Sequence, residues 1–308
     1  MTVYLKKNIK KMNIFSSVCY YIGLTYLIIN AIKFLYWIYK TFLLSEQDLK
    51  KKYGEGFCII TGGSEGIGFS FAKQFLKQGF KLLLISLNKE KLEKAKNKLL
   101  KENQNSIIEI LSYNLNQPFT DEIIKDFEEK ISTKTKGEEI SILISNAGTI
   151  TRKFLCDLTE EQIRNMLYVN TVSLTLITKI IIEKMLKRNK KSLIIGSGSV
   201  VGRMRLPTRS IYGSTKAFLQ SFYEILQREY GKKIDFTTLE IGAVETELNK
   251  LNMPFKVNSD DFAKEAMKYI GRYNFTTGCL KHEFMMIFFW KVPFVKEYTY
   301  IFGRNKYT

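Results

Sequence analysis

The stretch FCIITGGSEGIGFSFAKQFLKQG, residues 57 to 79, decides how the chain is read. FCII is a short apolar run of the kind that forms a buried strand. TGGSEGIG (61–68) comes next, and then apolar residues recur at helical spacing from Phe69 to Gly79. The glycines Gly62, Gly66 and Gly68 are spaced G-x-x-x-G-x-G around Ser64, Glu65 and Ile67. A strand, a glycine turn and a helix N-terminus in that order suit a dinucleotide pyrophosphate. Glycine lets the backbone approach closely, and the free N–H groups and the helix dipole face the anion. A glycine cluster alone is equally compatible with a tight turn, so the rest of the chain has to decide.

Beyond Gly79 the chain alternates. KLLLIS (81–86) reads as a strand and Lys89 to Lys101 as a helix. SIIEIL (106–111) is a strand, Asp121 to Ile131 a helix and SILIS (141–145) a strand. Ile163 to Leu186 is helical, SLIIG (192–196) a strand, Ser214 to Tyr230 a helix and DFTTLE (235–240) a strand. Strands alternating with helices predict an α/β fold: a Rossmann-like, doubly wound parallel sheet in one domain, binding ligands beyond the carboxyl ends of its strands.

The chain of 308 residues has 48 Lys and Arg against 30 Asp and Glu, a net charge of +18. Lys6, Lys7, Lys10, Lys11, Lys33 and Lys40 precede residue 45 with no acid among them, leaving +12 for the rest. No zinc-finger spacing and no basic run interleaved with aromatics appears, so nucleic acid is not an expected partner and no metal site is expected. A positive surface suits anionic lipid or phosphorylated substrates. Cys19, Cys58, Cys156 and Cys279 fit no disulfide framework and read as reduced and structural. The single histidine, His282, reads as an ordinary structural residue.

Met12 to Ile32 carries no formal charge. At about 1.5 Å per residue it is long enough to cross a hydrocarbon core of about 30 Å. Tyr20, Tyr21, Tyr36, Trp37 and Tyr39 suit a membrane interface. The expected organisation is an anchor over 1–44 (span 12–32), a linker over 45–56, a catalytic domain over 57–275 and a tail over 276–308. Lysines flank the span on both sides, so charge leaves its orientation open. The cysteine pattern favours a cytosolic catalytic domain.

TGGSEGIG, SNAG (145–148), Asn170 in YVNTVS, Ser199 in GSGSVVG and Tyr212-x-x-x-Lys216 in IYGSTKAFLQ stand in the order expected of the short-chain dehydrogenase/reductase family. The chain resembles that family over roughly residues 55 to 275. Hydride transfer to a ketone builds negative charge on oxygen, which needs a proton and preorganised donors. The resemblance implies that Tyr212 gives the proton, that Lys216 lowers its pKa and bonds the nicotinamide ribose, that Ser199 donates a hydrogen bond to the same oxygen, and that Asn170 holds a water. It also implies contacts to the cofactor from Gly62, Ser64, Glu65, Gly66, Ile67, Gly68, Ser86, Asn88, Asn114, Leu115, Asn146, Ala147, Gly148, Val244 and Thr246.

Some positions depart from the family pattern. Ser145 stands for the usual first Asn of Asn-Asn-Ala-Gly and retains a hydroxyl able to hydrogen-bond. Asn114 stands for an adenine-contacting Asp, and Ile241 for the Pro that precedes Gly242. The second strand ends Ser86-Leu87-Asn88-Lys89, without the acid that binds the ribose hydroxyls of NAD(H). Relatives carry Arg where Leu87 stands, while Ser86, Asn88 and Lys89 remain to meet a 2′-phosphate. NADP(H) is therefore expected ahead of NAD(H), although Glu65 disfavours a phosphate.

Within the family the chain resembles the microsomal branch of 17β-hydroxysteroid dehydrogenases and very-long-chain 3-oxoacyl-CoA reductases. The grounds are its anchor, KLLLIS leading into NKEKL, and IYGSTKAFLQSFYEIL. That resemblance implies a lipophilic ketone or alcohol substrate, an endoplasmic reticulum membrane and self-association as a homodimer. A 3-ketosphinganine reductase or retinoid dehydrogenase shares every catalytic motif, and a nucleotide-binding membrane scaffold is the non-enzymatic alternative. The segment GRMRLPTR is expected to place Arg203, Arg205 and Arg209 at the active-site mouth, where they attract the phosphates of an acyl-CoA. LNKLNMPFKVNSDD (248–261) lies where the family puts a mobile substrate cover. FMMIFFWKVPF (284–294) reads as a membrane contact or a lid.

Overall fold

The computed structural model describes residues 14–250 and 253–291. The chain divides into two units, residues 1–45 and 46–308. The first holds helix α1 (Ile14–Ile38), continued by a π turn over Tyr39–Leu43. Ser16–Leu43 is long and apolar enough to cross a membrane. Its large side chains are exposed, Tyr21, Ile22, Leu27 and Leu35 among them. The expected span opened at Met12, and Met12 and Asn13 lie outside the described residues.

The second unit begins with α2 (Leu49–Tyr53), inside the expected linker and with Leu49 and Tyr53 fully buried. Strands β1 (Phe57–Thr61), β2 (Lys81–Ser86), β3 (Ile108–Ser112), β4 (Ile140–Ser145), β5 (Ser192–Ser199) and β6 (Ile234–Ile241) alternate with helices. The helices are α3 (Gly66–Lys77), α4 (Lys89–Glu102), α5 (Asp121–Thr135), α6 (Glu160–Leu167), α7 (Ser173–Met185), α8 (Val200–Met204) and α9 (Ser210–Tyr230). Beyond them lie β7 (Val244–Glu245), β8 (Val257–Asn258), α10 (Ser259–Ala266), β9 (Phe275–Thr276) and α11 (Leu280–Lys291). The main sheet has seven parallel strands in the order β3-β2-β1-β4-β5-β6-β9. β7 pairs separately with β8.

The expected doubly wound sheet is the one observed. Every residue of β1 and of β4 is buried, because a parallel sheet is covered on both faces. Cys58 and Ile60 pack with Phe71, Phe75 and Leu92 of α3 and α4 on one face. Phe57 and Ile59 pack with Phe127, Ile177 and Leu219 of α5, α7 and α9 on the other. The order reverses between β1 and β4, which opens the crevice where such sheets take ligands.

Several elements differ in extent from the sequence reading, among them the helix expected over 163–186, which is α6, a π turn over Tyr168–Val172 and α7. β3 begins at Ile108 because Ser106 is held in a turn to the Asn103 carbonyl. α9 begins at Ser210, so Tyr212 lies in its first turn. GRMRLPTR is partly helical as α8, capped by the Ser199 hydroxyl. The stretch 248–261 contains β8 and the start of α10, whose first turn is capped by Asn258, and its residues 251 and 252 lie outside the described ones. The tail set off at 276 opens inside β9, and Met285 and Met286 of α11 pack against Val200 and Met204 of α8. Phe284, Ile287 and Phe288 form the exposed face of α11. The last three residues of FMMIFFWKVPF lie outside the described ones. All four cysteines are free; Cys58 and Cys279 are buried, whereas Cys19 and Cys156 are exposed.

Candidate active site

The glycine turn is built by backbone. The Gly62 N–H donates to the Ile85 carbonyl at 2.7 Å, tying β1 to β2. Gly66 takes φ +58°, and Gly68 lies so close to Gly62 that a Cβ there would sit 2.2 Å from its carbonyl oxygen. Glu65, ahead of α3, makes no side-chain cap, so the first N–H groups of that helix are free for an anion. Ser64 Oγ reaches Ser86 Oγ at 3.0 Å, and Glu65 pairs with Lys91 at 2.8 Å. Lys91 partly neutralises the one acid in the loop, a contact that the linear motif hides.

Asn146 locks this turn to the next strands. Its N–H and that of Ala147 donate to Thr61 Oγ1 at 2.9 and 3.0 Å. Its side-chain amide donates to the Thr61 carbonyl and accepts from Ser197 Oγ at 3.2 Å. Ser145 is fully buried, and its hydroxyl opposes the upward push of burial on the Tyr223 phenol. Asn88 Oδ1 caps α4 through the Lys91 N–H, and Asn114 Oδ1 accepts from the Asn116 N–H. Both side chains use their oxygen within their own loops. Leu115 is buried in the core.

The catalytic candidates converge where β5 and α9 meet. Ser199 Oγ donates to the Ile241 carbonyl at 3.2 Å. Lys216 is buried, and its Nζ donates to the Ser197 carbonyl at 2.8 Å and lies 5.7 Å from the centre of the Tyr212 ring. A Cβ on Gly148 would lie 3.4 Å from Asn170 Oδ1 and 3.5 Å from Lys216 Nζ, so that glycine abuts both. Asn170 is fully buried in a π turn, Tyr168–Val172. Its Oδ1 accepts from the Thr149 N–H at 2.8 Å, and its amide donates to the Thr149 carbonyl and Thr215 Oγ1. Both amide hydrogens are thus committed to protein. Thr246 Cγ2 faces Gly66, closing the crevice from the other side.

Burial pushes the Tyr212 phenol above its usual pKa, opposed by the Ser199 hydroxyl and the charges of Arg152 and Arg209. Lys216 is itself pulled down to about 8 by burial. Arg152 and Arg209 thus join Lys216 as cations beside the phenol. Arg209 was expected at the mouth. Arg152, between SNAG and α6, was not, since nothing in TITRKF marks it. Its guanidinium donates to the Leu248 carbonyl and to Asn249 Oδ1 at 3.3 and 3.0 Å. Arg203 departs from its expected place: it pairs with buried Glu240 at 3.1 Å and, with Arg205, lines a recess against Gln220 and Glu224 of α9. An unpaired carboxylate on β6 would be costly to bury, so Glu240 takes the nearest cation.

Glycines that admit no Cβ, a free helix N-terminus and a buried lysine beside a tyrosine fit a nicotinamide dinucleotide. Residues 57–255 match the short chain dehydrogenase family, and the chain belongs to that family of oxidoreductases. Putative steroid dehydrogenase 1 of Caenorhabditis elegans is 31% identical over 248 residues, covering 77% of this chain and 76% of that protein. The very-long-chain 3-oxoacyl-CoA reductase of Rattus norvegicus is 28% identical over 277 residues, 86% of each. A short-chain dehydrogenase from Sphingobium yanoikuyae in complex with NADPH superposes with a TM-score of 0.62 at 27% identity, covering 69% of this chain and 83% of that one.

Proposed function

We propose that the protein is a membrane-anchored, NADP(H)-dependent ketoreductase acting on a lipophilic ketone, a 3-oxoacyl-CoA or a steroid-like substrate. The observation that carries the reading is the convergence of Ser199, Tyr212, Lys216 and Asn170 at the carboxyl ends of the strands. Bound there, reduced nicotinamide supplies a hydride to the carbonyl carbon. Tyr212 Oη gives a proton to the carbonyl oxygen, and Ser199 Oγ donates to that oxygen as its charge grows. Arg152 and Arg209 favour the phenolate that the transfer leaves. Lys216 orients the ribose, with its Nζ already fixed on the Ser197 carbonyl. Gly62, Gly66, Ile67 and Gly68 take the pyrophosphate, and Val244 and Thr246 the carboxamide.

NADP(H) rather than NAD(H) is supported by charge. No acid ends β2, and Lys89 and Lys91 stand at the N-terminus of α4. The apolar helix Ser16–Leu43 supports anchoring. The named relatives, a steroid dehydrogenase and a very-long-chain 3-oxoacyl-CoA reductase, support a lipophilic substrate. An endoplasmic reticulum membrane with the catalytic unit in the cytosol is part of the proposal. The test offers detergent-solubilised protein a long-chain 3-oxoacyl-CoA, a 17-ketosteroid and 3-ketosphinganine and tracks NADPH absorbance. Tyr212→Phe is expected to lower kcat by about 10²- to 10⁴-fold with an unchanged melting temperature. Equal turnover by the variant would remove Tyr212 from its role.

A further inference from the structure

His282, the chain's one histidine, lies in the first turn of α11 and is fully buried. Its Nδ1 accepts the Gly242 N–H at 3.2 Å, and its Nε2 faces the Ala243 carbonyl oxygen at 3.2 Å. A backbone N–H can only donate, so Nδ1 carries the lone pair. The ring proton then sits on Nε2 and donates to Ala243. The ring also lies flat against Gly242, where a Cβ would come within 2.6 Å of Cδ2. One neutral imidazole thus satisfies both sides of a single turn of chain.

That turn joins the two halves of the site. Immediately before it, the Ile241 carbonyl accepts from Ser199 Oγ. Immediately after it, Val244 and Glu245 pair with Val257 and Asn258, and the Ala243 carbonyl also accepts from the Val257 N–H at 3.0 Å. The helix bearing His282 is anchored independently: Met285 and Met286 pack on α8, and the Leu280 N–H donates to Glu265 of α10 at 2.7 Å. The Phe262 ring, 5.5 Å away, closes the apolar side of the imidazole. Burial holds the ring below the usual histidine pKa, opposed by the Ala243 and Thr277 carbonyls and aided by Lys281.

We infer that His282 is a positioning residue whose imidazole holds the Gly242–Ala243 turn in the shape that presents Val244 and Thr246 to the nicotinamide, making cofactor binding depend on the C-terminal helix. This rests on the proposal that Val244 and Thr246 take the carboxamide.

The test uses the full chain in detergent and two readouts other than turnover: hydrogen exchange of amides 242–246 without cofactor, and the Kd for NADPH by fluorescence. His282→Leu removes both bonds and is expected to speed exchange and raise Kd about tenfold. His282→Asn keeps an acceptor in place of Nδ1, so it retains protection at Gly242 and raises Kd by about threefold or less. This graded rescue also serves if the leucine variant folds poorly. Wild type that binds NADPH, with exchange and Kd unmoved in both variants, overturns the inference alone. Wild type that binds neither NADPH nor NADH overturns the cofactor reading and the inference together.

Discussion

The two ends of the sheet bury polar groups in opposite ways. At the amino ends, Arg188 is buried and all five of its N–H donors are used, on Glu139, Ser192 Oγ and the carbonyls of Lys191, Tyr53 and Glu55. Nearby, Asp235 receives Lys191, Lys52 and the Tyr53 hydroxyl within 2.9 Å. At the carboxyl ends, Lys216 has three donors and, among the described residues, one hydrogen bond, to Ser197, and no carboxylate partner. Its pKa falls to about 8 while the Tyr212 phenol is pushed up. Saturated polar groups hold a structure together. Buried groups left short of partners store a tendency to change charge, which proton transfer uses.

Lys216→Met would break this comparison most visibly. A lysine whose folded pKa lies below its unfolded value of about 10.4 costs stability at every pH below about 8, where both states are charged. Stability then rises with pH between about 8 and 10.4, because only the unfolded chain still binds the proton. Methionine removes that cost. The variant is expected to lose turnover by about 10²-fold or more, yet gain about 2 kcal/mol in urea unfolding at neutral pH. A variant both inactive and less stable would place Lys216 with the structural groups.

Arg188→Met is the converse. It strips partners from three backbone carbonyls and Ser192, and is expected to cost about 3 kcal/mol of stability. At a temperature where it remains folded, its KM and kcat should match wild type. A drop in kcat there would mean that the amino end of the sheet is coupled to the site.

The same contrast shows what the sequence could reveal. The glycine turn and Tyr212-x-x-x-Lys216 were legible because each acts within one element, so its spacing is its geometry. The alternation of strands was legible because burial on both faces leaves continuous apolar runs such as KLLLIS and SILIS. Arg152 and the Glu240 partner of Arg203 were not, since both depend on which segments distant in sequence the fold brings together. His282 meets Gly242 across 40 positions, and no local pattern distinguishes it from a core histidine. In the sequence, Arg188 is one cation in the basic run KRNKK. Only the fold turns it inward while its neighbours stay in solvent.

Asp235→Asn is the smallest test and the one with an opposite pH signature. Burial pushes this carboxyl up, but the hydrogen bonds from Lys191, Lys52 and Tyr53 outweigh it and hold the pKa below the usual aspartate value. A depressed carboxylate adds stability that is fully present above its unfolded pKa of about 3.9 and is lost as pH falls through the folded value. At neutral pH the asparagine variant should therefore be less stable by about 1 kcal/mol. The gap should begin to narrow below about pH 4 and close only once the pH is below the depressed folded value, because the wild-type carboxyl is protonated only there and asparagine then resembles it. Urea midpoints at neutral and acid pH read this directly, and kcat should not move. A gap that persists in acid would mean that these contacts are held by shape rather than charge. The amino end would then differ from the catalytic end in kind of packing as well as in the saturation of its polar groups.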